Sequence, residues 1–178
     1  RRAQEVDMNG DQAVVEVLKR EGTEWIAAFP YQGLIEQAVR AGIRPIICRQ
    51  ERVGVNMADG FSRISNGRRI GVFTMQSGPG AENAYAGVAQ AFADSVPILV
   101  LPGGPGATST QIHPVFEAPK HYAGVTKWAG SINVPSRLPS LMRYAYTQLR
   151  HGRPGPVLLE IPGDVARQDQ PGDTLEYT

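Results

Sequence analysis

The chain has 178 residues, of which 42% are hydrophobic and 20% are charged, and its formal net charge is +1. This composition predicts one compact, soluble domain, and the scattered charges exclude both a basic stripe for nucleic acid and an acidic, disordered tail. The single cysteine, Cys48, excludes a disulfide framework and a multi-cysteine metal site, so we expect a buried, inert thiol and a reducing, cytoplasmic setting.

Short apolar runs alternate with helical periodicity along the chain. Asn9 and Gln12 are spaced for a capping box, and the helix that follows is predicted to stop at Gly22. Strands are predicted at 25–29, 46–48, 70–75, 97–101, near Trp128 and at 157–161, and the later helices contain residues 34–39, 53–63, 81–93 and 138–149. A loop is predicted at 102–111 because of its Gly, Pro, Ser and Thr content.

These elements define a fold class. Continuous apolar runs without alternation are typical of strands buried on both faces, as in a parallel sheet. Six strands and at least five helices in alternation therefore predict a three-layer, doubly wound α/β domain, with helices on both faces of the sheet. We place this domain at residues 9–165, interpret residues 1–8 as a leader or cloning remnant, and interpret the polar residues 166–178 as a linker towards a middle domain. No apolar run approaches the about 20 residues that span a bilayer, so no membrane association is expected.

A carboxylate stands where the second predicted strand passes into a helix. Glu51 follows the apolar run 45–48 and opens the segment that continues as helix 53–63. Parallel α/β folds bind ligands at the carboxyl ends of their strands, which makes Glu51 a candidate catalytic residue. Considered alone, the same position is better explained by the attraction of a carboxylate to the helix dipole.

The sequence Ser77-Gly78-Pro79-Gly80 lies between a predicted strand and a predicted helix, which is the setting of a phosphate loop. It lacks both G-x-G-x-x-G and Gly-Lys-Ser/Thr, Pro79 removes a backbone donor, and Glu82 adds negative charge. We therefore interpret the loop as a tight turn that lets another backbone or a flat ring come close. A nucleotide-binding α/β domain is the less favoured alternative.

Five segments, taken in chain order, resemble the motifs of one enzyme family. They lie at 49–63, 75–83, 93–100, 126–128 and 152–165. They are similar to R-H-E … M-A-x-G-Y-A-R, T-S-G-P-G-x-x-N, A-x-x-D-S-x-P, T-K-W and G-R-P-G-P-V … I-P-x-D-V of thiamine diphosphate enzymes of the acetolactate synthase, pyruvate oxidase and benzoylformate decarboxylase superfamily. The resemblance covers residues 9–165 and implies the N-terminal, pyrimidine-binding (PYR) domain of such an enzyme, with a six-stranded parallel sheet.

The resemblance also implies a mechanism, in which Glu51 hydrogen-bonds N1′ of the aminopyrimidine ring of thiamine diphosphate. A carboxyl at N1′, with a pKa raised by burial at a domain interface, would control the ring tautomer so that the 4′ nitrogen can take the proton from C2 of the thiazolium. The expected reaction is decarboxylation or carboligation of a 2-oxo acid by a lyase or transferase. The resemblance places the cofactor ring among Tyr31, Gln32, Gly33, Glu51, Ser77, Gly78, Pro79 and Asn83, and it assigns no metal ligand to this chain.

The family holds the diphosphate and Mg²⁺ on a second domain with a G-D-G … N motif, and these 178 residues contain no such motif. The resemblance therefore implies half a cofactor site, which is inactive until the diphosphate-binding domain of the same or a partner chain completes it. We expect a homodimer or homotetramer. The chain is then an excerpt of a longer enzyme or the α-type subunit of a two-chain decarboxylase. A non-catalytic binding or regulatory module with the same fold stays an alternative.

Three positions depart from the family motifs. The family's F-G-x-P-G loop reads Phe29-Pro30-Tyr31-Gln32-Gly33 here, Gln50 replaces the histidine before Glu51, and Glu117 directly follows Phe116 where relatives have F-Q-E. These departures favour a divergent decarboxylase, oxidase or carboligase over acetolactate synthesis itself. His113 and His121 lie in a region able to face a substrate, although loop histidines are more often simply solvated.

Overall fold

The computed structural model describes residues 8–170 and 175–178. Its strands are β1 Met8–Asn9, β2 Trp25–Ala28, β3 Arg44–Ile47, β4 Gly71–Met75, β5 Ile98–Gly104, β6 Trp128–Ser131, β7 Val157–Pro162 and β8 Asp169–Gln170. Its helices are α1 Gly10–Arg20, α2 Gln32–Arg40, α3 Glu51–Ile64, α4 Pro79–Ala93, α5 Ala118–Tyr122, α6 Leu138–Arg150 and α7 Gly163–Arg167. None of the helices in this described part is both long and apolar enough to cross a membrane.

Six strands form one sheet in the order β3-β2-β4-β5-β7-β6, and every neighbouring pair is parallel. β1 and β8 form a separate antiparallel pair. The six-stranded parallel sheet predicted from the sequence is confirmed. All five predicted helices are also present, and α1 begins with the predicted capping box between Asn9 and Gln12.

Helices cover both faces of the sheet. Leu99 and Leu101 of β5 pack into one core with residues of α1, α2, α6 and α7. The alternate residues of β5, Ile98 and Val100, pack into a second core with α3, α4 and α5. Because successive side chains of a strand point to opposite faces, an apolar run such as 98–101 serves two cores at once. The predicted three-layer architecture is confirmed.

The structure differs from the prediction at several short elements. β5 continues through Pro102, Gly103 and Gly104, which were predicted as loop, because Gly103 and Gly104 pair with Ile161 and Pro162 of β7. The five-residue helices α5 and α7 and the two-residue strands β1 and β8 were not predicted. Elements of this length contain too few residues to show a hydrophobic period.

The structure describes only part of the predicted terminal segments. Residues 1–7 of the predicted leader and residues 171–174 of the predicted linker lie outside the described residues. Within the described part of 166–178, Ala166 and Tyr177 are buried in the first core, and the Tyr177 hydroxyl donates to Glu21. These residues pack on the domain. The passage from 166–178 to a middle domain stays a prediction.

Two glycines predict opposite effects of alanine on stability. A Cβ on Gly71 would lie 2.0 Å from the carbonyl oxygen of Ala58, so Gly71→Ala must push α3 away from β4 and should lower the free energy of unfolding by at least about 2 kcal/mol. Gly60, inside α3, has no atom within 4 Å of the position that a Cβ would take, and Gly60→Ala should raise that free energy by up to about 1 kcal/mol. Urea unfolding of the two variants checks both signs, and equal effects would contradict the packing described here.

Candidate active site

Two loops diverge at the carboxyl ends of neighbouring strands. β2 leads into α2 on one face of the sheet, and β4, its neighbour, leads into α4 on the other face. Such a switch point opens a crevice, which is where doubly wound sheets bind ligands. The end of β5 closes the crevice on one side, since a Cβ on Gly103 would lie 3.4 Å from the Ser77 nitrogen and 3.8 Å from Cε1 of Tyr31.

Glu51 lies at this edge of the sheet as the first residue of α3, and it is only 4% exposed. The chain leaves β3 through Cys48, whose N–H donates to the Ala28 carbonyl at 3.0 Å, so the start of α3 is tied to β2. Asn83 of α4 donates its Nδ2–H to Oε2 of Glu51 at 3.2 Å. The other oxygen, Oε1, lies 3.4 Å from the position of a Cβ on Gly80. The carboxyl group is therefore fixed between the amino-terminal turns of two helices.

Two glycines, Gly54 and Gly87, allow α3 to pack closely on α4 and on the sheet. A Cβ on Gly87 of α4 would lie 2.2 Å from Cγ1 of Val55, and a Cβ on Gly54 of α3 would lie 2.3 Å from the Phe73 ring. The glycines let α3 approach both α4 and the sheet at distances that any side chain would prevent. The Glu51–Asn83 contact, between residues 32 positions apart, depends on this packing.

The turn into α4 carries three of the predicted cofactor-binding residues. Gly78 has φ +65° and ψ −116°, a conformation that favours glycine, and Pro79 occupies the first turn of the helix. Ser77, Pro79 and Asn83 are exposed, and Gly78 is half-buried. The structure thus brings the predicted residues of this loop to the surface beside the buried Glu51.

The remaining predicted residues lie in segment 29–33, here called the β2–α2 loop, which joins β2 to α2 and includes the first two residues of that helix. Their side chains point in different directions. The Tyr31 hydroxyl donates to Oδ1 of Asp11 at 3.1 Å, and Gly33 packs so closely on Asp11 that a Cβ would lie 2.2 Å from Oδ2. Gln32 is exposed, and its Nε2–H donates to Glu36 at 2.8 Å. Their role in cofactor binding stays a prediction. The sequence did not single out Asp11, since an acidic residue in the first turn of a helix already has a local explanation.

Asp11 is a buried carboxyl group, 6% exposed. Burial raises its pKa to about 6, although the hydrogen bond from Tyr31 and the positive charge of Arg167 both act to lower it. The pKa of the Tyr31 hydroxyl is raised by its own burial and by the neighbouring carboxylate. At neutral pH the pair is therefore a neutral phenol donating to a largely ionised Asp11.

A cavity of about 600 Å³ lies at the same edge of the sheet, near the ends of β5, β6 and β7. Its wall includes Glu160 of β7, which is 4% exposed and accepts the Ala118 N–H at 3.3 Å. Burial raises the pKa of Glu160 to about 7 against the hydrogen bonds from Ser131 and Ala118, and the charge of Glu117 adds to the rise. Glu160 was missed in the sequence because it lies inside an apolar strand.

A raised carboxyl pKa predicts a pH-dependent loss of stability. The folded state favours neutral Glu160, so its stabilising contribution is complete below pH 4.5 and declines as the pH rises through 7. Glu160→Gln keeps the shape and the acceptor without the charge, and should raise the free energy of unfolding at pH 8 by about 2–3 kcal/mol while changing it little at pH 4.5. Urea unfolding at both pH values measures the difference. Glu24→Gln, the same substitution at an exposed glutamate, provides the control. An effect of Glu160→Gln that is equal at both pH values would contradict a raised pKa of Glu160.

The other residues singled out in the sequence do not lie with Glu51, Asn83 and the turn 77–80. His113 and His121 are exposed, and the His121 ring stacks on Phe116 with centroids 4.4 Å apart. Both histidines line a cavity of about 250 Å³ whose walls do not include Glu51. Cys48 is buried as predicted, and burial raises the pKa of its thiol. Within residues 8–170 and 175–178, no three His, Cys, Asp or Glu side chains are grouped as metal ligands.

Comparison with known proteins identifies the family to which this arrangement belongs. The family described as "Thiamine pyrophosphate enzyme, N-terminal TPP binding domain" matches residues 8–124. The chain belongs to this family. The match contains every predicted site residue, from Tyr31 to Asn83, and confirms the resemblance found in the motifs.

The relatives of this N-terminal TPP-binding domain include acetolactate synthases of bacteria, archaea and plants. The acetolactate synthase large subunit of Lactococcus lactis subsp. lactis is 35% identical over 176 residues, covering 96% of this chain and 29% of the relative. A probable acetolactate synthase large subunit of Methanocaldococcus jannaschii is 31% identical, with shares of 96% and 29%. The chloroplastic acetolactate synthase of Arabidopsis thaliana is 33% identical, with shares of 89% and 24%. The chain spans less than a third of the length of these relatives.

Proposed function

We propose that this chain binds the aminopyrimidine ring in a thiamine diphosphate-dependent enzyme acting on 2-oxo acids, and that Glu51 is its acid–base residue. The observation that carries the proposal is the burial of Glu51 at the sheet's switch point, where Asn83 orients it. A carboxyl group that only stabilised the helix dipole would gain little from a side-chain donor on a second helix. Proton transfer, in contrast, requires an acid of fixed position.

The residues present fit a flat, nitrogen-containing ring. Gly78 is half-buried and has only its own chain neighbours near the position that a Cβ would take, so the backbone of this turn is open to close approach. Oε2 of Glu51 is engaged by Asn83, while Oε1 lies beside Gly80. Tyr31, Gln32, Gly33, Ser77, Gly78, Pro79 and Asn83 form the proposed surroundings of the ring.

The proposed roles of these residues follow from that fit. Glu51 would hold a proton at N1′ of the ring, and Asn83 would keep the carboxyl in the orientation that proton transfer needs. The low exposure of Glu51 keeps bulk water away from the shared proton. When bound, thiamine diphosphate supplies the carbanion chemistry that the side chains of a protein lack.

The proposal includes a partner domain, because the residues described here supply only the ring side of the site. A diphosphate-binding domain of the same or a partner chain holds the diphosphate and Mg²⁺, within a homodimer or homotetramer. The relatives, which are more than three times longer than this chain, support a larger enzyme. The proposed reaction is decarboxylation or carboligation, and the single, buried Cys48 supports a cytoplasmic setting.

Calorimetric titration with thiamine diphosphate and Mg²⁺ tests the half-site. We expect no measurable binding to the 178-residue chain and saturable binding to the complete polypeptide or to the chain with its partner. Tight binding to the 178 residues alone would mean that they hold a diphosphate site, and the assignment of residues 77–80 to ring binding would be wrong. Absence of binding to the complete protein would overturn the proposed function.

A further inference from the structure

The β2–α2 loop departs from the family motif at Gln32, and Asp11 contacts the residues on either side of that position. The family's F-G-x-P-G has proline where this chain has Gln32, the residue after Tyr31. Here the Tyr31 side chain turns into the domain, where its hydroxyl donates to Asp11 and its Cε1 lies 3.8 Å from the position that a Cβ on Gly103 would take. Two residues later, Gly33 packs directly on the other carboxylate oxygen of Asp11. One carboxyl group thus contacts the loop on both sides of Gln32.

Asp11 is itself held by two elements, α1 and α7. It lies in the first turn of α1, between the capping-box residues Asn9 and Gln12. Gly10 packs on α7 so closely that a Cβ would lie 2.3 Å from the Val165 carbonyl oxygen. The positive charge of Arg167, also on α7, attracts the carboxylate of Asp11. A carboxyl group buried in this way has few alternative orientations and can serve as a rigid support for a neighbouring loop.

We infer that Asp11 is a positioning residue for the cofactor: through Tyr31 and Gly33 it fixes the β2–α2 loop in the conformation that receives the aminopyrimidine ring. The inference rests on the proposed function, since it assigns a task to a loop at the proposed ring site. Asp11 touches neither the ring nor the reacting atoms, and its effect passes through the loop. A loop ordered before binding loses less conformational entropy when the ligand arrives, so the contribution appears in cofactor affinity.

A positioning role predicts a change in cofactor affinity with little change in turnover at saturating cofactor. Tyr31→Phe removes the hydroxyl and keeps the ring, and Asp11→Leu removes the acceptor in a side chain of similar outline. In the complete enzyme we expect each to raise the KM for thiamine diphosphate about tenfold and to change kcat at saturating cofactor less than about threefold. Asp11→Asn keeps an oxygen that accepts from Tyr31 and should restore most of the affinity.

Tyr177 provides a matched control. Its hydroxyl also donates to a carboxylate, that of Glu21, but at the opposite end of the sheet, where α1 ends. Tyr177→Phe should lower the unfolding temperature without changing the KM for the cofactor. A purely structural role of Asp11 predicts the same behaviour for Tyr31→Phe.

The experiment measures KM for thiamine diphosphate, kcat and unfolding temperature for the complete enzyme and these four variants. Higher KM values for Tyr31→Phe and Asp11→Leu, with recovery in Asp11→Asn, support the inference. An unchanged KM in Tyr31→Phe overturns it, and so does a loss in Asp11→Asn as large as that in Asp11→Leu. If Asp11→Leu does not fold, Tyr31→Phe alone decides. Failure of the proposed function is recognised separately, by normal proton exchange at the cofactor in Glu51→Gln.

Discussion

Replacing Glu51 with glutamine should slow deuterium exchange at C2 of bound thiamine diphosphate by about 10²–10⁴-fold, the range that a positioned acid–base group contributes. Glutamine keeps the length of the side chain and an oxygen that can accept from Asn83, so the fold should be unchanged. What the variant loses is the exchangeable carboxyl proton at N1′. Quenched-flow exchange followed by proton NMR of the released cofactor measures the rate directly.

Glu82 is the control for this substitution. It lies next to Asn83 in the first turn of α4, but its side chain is exposed. Glu82→Gln removes a similar negative charge from the same edge of the sheet and should leave C2 exchange within about twofold of the unmodified enzyme. Equal rates in Glu51→Gln and the unmodified enzyme would contradict the catalytic role, and equal slowing by both variants would reduce it to a general electrostatic effect.

Gly78→Ala should weaken cofactor binding about tenfold to hundredfold, because a small displacement of a positioning loop is costly at a reacting centre. Gly78 has φ +65°, which alanine adopts only with strain, and no atom lies within 4 Å of the position its Cβ would take. The strain therefore acts on the backbone of the turn and shifts the start of α4, which carries Asn83. Titration of the complete enzyme with thiamine diphosphate measures the loss.

Gly42 separates the effect of strain from the effect of position. It has φ +82° and equally open surroundings, but it precedes β3 at the opposite end of the sheet. Gly42→Ala and Gly78→Ala should lower the free energy of unfolding by comparable amounts, about 1–2 kcal/mol. Only Gly78→Ala should lose cofactor affinity. Similar losses of affinity in the two variants would show that residues 77–80 have no special place in the site.

Much of the fold follows from local patterns in the chain. The apolar runs at 25–29 and 98–101 show no alternation, which is the signature of strands between two helical layers, and both are strands of the central sheet. The end of β5 was missed because Pro102, Gly103 and Gly104 have the composition of a loop. Their pairing with β7 is a tertiary effect, and the Glu160 side chain packs so closely on Gly104 that a side chain there would collide with it.

The site was only partly predictable, for a related reason. Glu51 and residues 77–80 were identified because each lies between a strand and a helix. The contact between Glu51 and Asn83 depends on Gly54 and Gly87, whose close packing is invisible in a one-dimensional pattern. The contact of Tyr31 with the cofactor stays a prediction, and the hydrogen bond from its hydroxyl to Asp11 could not be predicted from the pattern. Buried polar partners such as Asp11 and Glu160 have no periodicity and emerge only when distant segments meet.

Above all, we propose that the carboxyl group of Glu51 hydrogen-bonds the aminopyrimidine ring. A crystal structure of the complete enzyme with thiamine diphosphate and Mg²⁺ tests it most directly. We predict that a Glu51 oxygen lies within about 3 Å of N1′, at hydrogen-bonding distance, with Asn83 still donating to the other oxygen. A ring bound elsewhere, or an N1′ paired with a different residue, would contradict the account.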